Sequence, residues 1–113
     1  MIIWKGLNNM DMKYAVMAVR AKSDKKSIKH LAYQVARITT KCVTPNIKIL
    51  DCIVTFGGTK DIIREVRKLL PTKDFQYLLI YSAKDISESE EDYNYFVSKL
   101  RNDYHIEVLT YKN

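Results

Sequence analysis

The chain has 113 residues, 47% of them apolar, with only three Gly and two Pro, a composition that fits one packed globular domain and excludes a disordered or collagen-like chain. Its formal net charge is +6, from 19 Lys and Arg against 13 Asp and Glu. No stretch of about 18 uncharged apolar residues offers a membrane span, and the first residues, Met1 to Leu7, lack the basic and apolar regions of a secretory signal, so a cytoplasmic location is expected.

Residues 1–12 show no hydrophobic period and contain Asn8-Asn9, so a loose arm is expected ahead of one domain spanning 13–113. From Lys13 to Arg20 the run Tyr14-Ala15-Val16-Met17-Ala18-Val19 is apolar on both faces, as in a central parallel strand covered by helices. A polar loop follows, with Ser27 as the expected N-cap of a helix. Ile28, Leu31, Ala32, Val35, Ile38, Thr39 and Cys42 then recur at three and four residues as its inner stripe. Its outer side carries Lys26, Lys29, Arg37 and Lys41, and Pro45-Asn46 ends the pattern.

The second strand is Ile47 to Thr55, rich in β-branched residues and interrupted by Asp51. Gly57-Gly58-Thr59 turns the chain into a helix over 60–70, with Ile62, Ile63, Val66, Leu69 and Leu70 inward, and Pro71 ends it. Phe75 to Tyr81 reads as a third strand, an acidic loop follows, and a helix over 90–103 turns Tyr93, Phe96, Val97, Leu100 and Tyr104 inward. Glu90, Glu91 and Asp92 suit its first turn, where the helix dipole favours anions. Ile106 to Tyr111 is the last strand.

The resulting βαβαβαβ order predicts a three-layer αβα domain with a mainly parallel four-stranded sheet, strand order 2-1-3-4 and right-handed crossovers. Ligands in such sheets bind beyond the carboxyl ends of the strands at the switch point, here between the first and third strands. The loops after those two strands should therefore lie side by side.

Those loops read Val19-Arg20-Ala21-Lys22-Ser23-Asp24-Lys25-Lys26-Ser27 and Tyr81-Ser82-Ala83-Lys84-Asp85-Ile86-Ser87-Glu88-Ser89. Together they resemble the two active-site loops of the serine site-specific recombinases, the resolvase/invertase family, whose patterns run roughly Arg-Val-Ser-Thr-Asp-x-Gln-Ser and Ser-Leu-Asp-Arg-Leu-Ser-Arg. The resemblance extends over residues 13–111. A gapless match sets Arg20 on the first-loop arginine, Lys22 on the nucleophilic serine, and Asp85 and Glu88 on the two second-loop arginines. Ser27 and Gln34 stand where the family's first helix carries polar residues, and Gly57-Gly58 resembles its Ser-Gly element, with the arginine-bearing loop that follows shortened.

The resemblance implies a resolvase-like fold built for DNA strand exchange, with a degenerate site. Cleavage by a serine needs a hydroxyl at the mouth of the site and several cations on the phosphate oxygens as charge develops. Acids replace two of those cations, so Arg20, Lys22, Ser23, Asp85 and Glu88 are candidates for a former active site and none is assigned as catalytic. The family's long dimerisation helix and its helix-turn-helix domain have no counterpart after Tyr111. The expectation is an inactive protein of mobile-element or phage origin that acts by contact with DNA, with a second copy or with a recombinase. An alternative remains open: a small α/β enzyme or nucleotide- or phosphate-binding module, with Ser23, Asp24 and Ser27 ahead of a helix N-terminus holding the phosphate.

Charge asymmetry bears on the first reading. Residues 1–74 carry 15 Lys or Arg against 6 Asp or Glu, while residues 75–113 carry 4 against 7. A basic face suits a polyanion such as DNA, and a merely solvated surface accounts for it equally well. Lys25, Lys26, Lys29, Arg37 and Lys41 are the candidate DNA or anion contacts.

The remaining constellations have plainer explanations. Cys42 and Cys52 are too few and too far apart for a disulfide framework or zinc site, and two reduced, largely buried thiols are expected. Asp51, Asp85, Glu88, Glu90, Glu91 and Asp92 suggest helix capping before a hard-metal site, so neither metal nor cofactor is assigned. His30 and His105 lack partners at ligand or triad spacing. Tyr14, Tyr77, Tyr93 and Tyr104 are expected in the core, leaving Tyr33, Tyr95 and Tyr111 as candidates for exposed contact. A two-component receiver domain shares the βα order but needs an acidic pair where this chain has Arg20-Ala21-Lys22.

Overall fold

The computed structural model describes residues 2–3, 12–21, 25–42 and 46–112, with the backbone alone for 2–3 and 25–28. Its elements are β1 (Ile2–Ile3), β2 (Lys13–Arg20), α1 (Lys25–Lys41), β3 (Ile47–Thr55), α2 (Thr59–Leu69), β4 (Tyr77–Ile80), α3 (Ala83–Ile86), α4 (Glu90–Tyr104) and β5 (Glu107–Thr110). All strands pair in parallel in the order β1-β5-β4-β2-β3. The four expected strands thus adopt the expected 2-1-3-4 order.

A fifth strand is added at one edge, where Ile2 and Ile3 pair with Leu109 and Thr110. Two residues carry no alternation to read, so the expected loose arm hid this pairing. On the other edge, β3 follows β2 with a register shift: Ala15 faces Ile49 and Val16 faces Asp51, leaving Leu50 as the extra residue of a bulge. The bulge carries Leu50 against the Val16–Ile53 cluster while Ile47 and Ile49 pack on the opposite face. It also accounts for the break in apolar pattern at Asp51, whose carboxylate accepts a hydrogen bond from the Cys52 amide at 2.7 Å.

The central strand β2 is buried from Ala15 to Val19 because both its faces are covered. On one face, α2, α3 and α4 press Ile62, Ile63, Val66, Ile86, Phe96 and Leu100 onto Val16, Ala18, Leu78, Ile80 and Val108. On the other, α1 lays Ile38 and Cys42 over Ala15, Met17, Val19, Leu79 and Leu109. None of the helices among the described residues is long and apolar enough to cross a membrane.

Several local expectations shift. The first helix begins at Lys25, so Ser27 lies inside its first turn and is not the N-cap. Its inner stripe keeps Leu31, Val35, Ile38 and Cys42 as expected, but Gln34 is buried beside them, whereas Ala32 and Thr39 are exposed. Cys52 is exposed, since β3 is an edge strand and its side opposite Ile53 is left open, as it is at Val54 and Phe56. Tyr14, expected in the core, is exposed near the start of β2. The third strand is confined to Tyr77–Ile80, and the acidic loop after it coils into α3, a single turn too short to leave a period in the sequence.

Candidate functional site

The chain leaves β2 and β4 side by side, and a cavity of about 270 Å³ opens there between Arg20, Gly58 and the loop from Ile86 to Ser89. Arg20 ends β2, so its backbone is held by the ladder to Thr55 while its guanidinium turns toward that cavity. Its Nη2 lies 3.7 Å from Glu88 Oε1, an ion-pair distance rather than a hydrogen bond. Glu88 is 86% exposed and Arg20 only 21%, so the arginine is fixed by burial and the acid reaches in from solvent. The Arg20 Nε is buried and finds no hydrogen-bond acceptor among the described residues.

Asp85, the other acid matched to a recombinase arginine, has a different environment. As the third residue of α3 it accepts from the Ser82 Oγ at 2.6 Å and donates its own amide to the Ser82 carbonyl at 3.3 Å. Its other oxygen is 3.5 Å from His30 Nε2. Arg20 and Glu88 therefore share one cleft, and Asp85 turns toward α1. Lys22 and Ser23 lie outside the described residues.

Asp92 forms the wall of the cleft. It accepts from Thr59 Oγ1 at 2.9 and 3.1 Å and from Ser87 Oγ at 2.7 Å, and its amide donates to the N-capping Ser89 Oγ at 2.9 Å. One carboxylate thereby joins the starts of α2 and α4 and satisfies two buried hydroxyls. The acids Glu90, Glu91 and Asp92 lie in the first turn of α4, whose cap is the Ser89 hydroxyl, and no group of three His, Cys, Asp or Glu among the described residues is placed to hold a metal.

Of the two glycines in the turn only Gly57 is crowded, and by the end of a flexible side chain. Neither glycine adopts a positive φ. At Gly57 the carboxylate of Asp61 occupies the space a Cβ would need, whereas at Gly58 a Cβ would meet only the Ile86 carbonyl oxygen at 3.9 Å.

His30, for which the sequence offered no partner at ligand or triad spacing, is exposed and meets three side chains. Gln34 Nε2 is 2.8 Å from its Nε2, Asp85 Oδ1 is 3.5 Å from the same nitrogen, and Tyr81 meets it edge-on at 5.9 Å. Tyr81 in turn stacks on Tyr111 at 5.3 Å and meets Tyr33 edge-on at 6.1 Å. Desolvation first, then the charge and hydrogen bond of Tyr33, raise the Tyr81 phenol above its ordinary value. No sequence spacing announces this group, because its members come from α1 and from the ends of β4 and β5. Lys29, Arg37 and Lys41 are exposed along α1, and Lys25 and Lys26 lie in its first turn.

No family model matches this sequence, and no curated protein does so either. Among solved structures, the crystal structure of the C-terminal catalytic domain of ISC1926 TnpA, an IS607-like serine recombinase, superposes with a TM-score of 0.69 at 14% sequence identity, covering 88% of this chain and 68% of that one. Parallel sheet, strand order and the placement of helices on both faces all agree, and the chain has the fold of a serine recombinase catalytic domain.

Proposed function

We propose that this chain is a serine recombinase-like domain, of mobile-element or phage origin, that does not cleave DNA and acts by contact with it. What carries the reading is the ion pair between Glu88 and Arg20. A recombinase site must present net positive charge to a phosphate, and here the one matched arginine faces an acid. Asp85 adds a second negative charge at a matched position, already engaged by Ser82. Each lost cation removes a few kcal/mol of transition-state stabilisation, so losing two together with the matched hydroxyl leaves no route to cleavage at a useful rate. Contact is assigned to α1, which carries five Lys or Arg and no acid.

A supercoiled plasmid tests the inactive half. The expected outcome is no nicked product above background with the purified chain. Nicking that disappears in Ser23→Ala would overturn it, because it would identify a displaced nucleophile.

A further inference from the structure

Lys29, Tyr33, Arg37 and Lys41 follow one another at intervals of four along α1, so they form a single exposed stripe about 18 Å long. Tyr33 is 48% exposed, with its ring set among these cations. The stripe is ordered from beneath. The Arg37 guanidinium lies 5.4 Å from the Tyr33 ring centre and 5.8 Å from that of Tyr111, and the Lys41 ammonium is 5.0 Å from Tyr111. Tyr111 rests on Tyr81, which also touches Tyr33. No ion pair among the described residues reaches Lys29 or Arg37, and the one acid that the ring cluster meets is Asp85, at the His30 end.

We infer that this stripe is a binding surface for single-stranded nucleic acid, an inference that rests on the DNA-contact reading above and narrows its ligand. Three cations supply phosphate contacts that any polyanion would use. An exposed ring set between them does something a duplex cannot exploit: it offers a face to an unpaired base, while paired bases are already stacked on one another. Arg37, held over the Tyr33 and Tyr111 rings, extends the same platform, because a guanidinium plane also stacks on bases. The underlying Tyr81–Tyr111 pair keeps the platform rigid, so little side-chain freedom is lost when a base settles on it.

Fluorescence anisotropy with an oligothymidylate of about 12 nucleotides and with a duplex of the same length, at about 50 mM salt, tests this. The single strand is expected to bind more tightly than the duplex. Tyr33→Ala should weaken the single strand about tenfold and leave the duplex unchanged, and Tyr33→Phe should restore single-strand binding. The substituted side chain is half in solvent, and a thermal melt of each variant checks that it stays folded. Equal loss on both probes, or none on the single strand, overturns the inference while duplex binding through α1 stands. If neither probe binds, the DNA-contact reading falls as well, and a protein partner becomes the occupant of the stripe.

Discussion

At the scale of single residues, burial decides chemistry that composition leaves open. The two cysteines, equivalent in the sequence, differ in kind. Burial under α1 pushes the Cys42 thiol up to about 12, so it carries almost no thiolate at neutral pH. Cys52 is at the surface, but partial desolvation first and the neighbouring Asp51 charge second raise its thiol too. Labelling with a disulfide reagent at pH 8 should therefore consume one thiol per chain, more slowly than it consumes free cysteine, with the second released only by denaturant. Two thiols reacting at equal rates in the native state would contradict this. Tyr93 makes a similar case: burial raises its phenol to about 12. Because the folded pKa lies above the unfolded one, the stabilisation is fully present below pH 10 and is lost as pH rises from about 10 to 12, by roughly 2–3 kcal/mol. Urea titrations at pH 9 and 11 should show a smaller loss of stability in Tyr93→Phe than in the parent.

Elements are joined at the cleft by polar contacts. Asp92 belongs to the first turn of α4, yet it holds Thr59, 33 positions away at the start of α2, and Ser87 before α4. Replacing Asp92 with Ala leaves the buried Thr59 hydroxyl without an acceptor, while the Ser87 hydroxyl keeps the Ser89 carbonyl at 3.0 Å, and should cost about 1–3 kcal/mol, read as a lower urea midpoint at unchanged slope. Asp92→Asn retains an acceptor oxygen and should cost less. A change no larger than that of an exposed acid such as Glu91 would refute the role. The helix itself was legible, from the acids of its first turn through the buried stripe Tyr93, Phe96, Val97 and Leu100, whereas its Ser89 cap was not. Nor was its contact to Thr59, because capping patterns report a helix's own start and say nothing of which neighbour shares the carboxylate. Similarly, α1 was legible as a helix and in its inner residues Leu31, Val35, Ile38 and Cys42, but not in Gln34, which is buried where an apolar residue would be looked for and whose amide serves His30.

For the whole molecule, the distribution of charge matters more than its total. The first 74 residues hold 15 of the 19 basic side chains, and five of these are on α1. If α1 meets DNA, the logarithm of duplex affinity should fall with the logarithm of salt, and the Arg37→Ala, Lys41→Ala double variant should flatten that slope by about 2. An unchanged slope would remove α1 from the interface. Sequence alone determined the architecture: the strand and helix order, the parallel sheet with its 2-1-3-4 arrangement, the two covered faces and the adjacency of the loops after β2 and β4. The elements, the parallel pairing and the covered faces follow from hydrophobic period and from the handedness of crossovers, both of which act over a few residues or one connection, and the strand order from the pattern common to doubly wound sheets. Tertiary structure alone decided that Arg20 meets Glu88 while Asp85 turns to His30, that Ile2 and Ile3 close the far edge, and that Tyr33, Tyr81 and Tyr111 gather beneath Arg37. The reason is physical: such contacts depend on the lean of a helix and the coiling of a loop by a few ångströms, and no local period in the sequence records either.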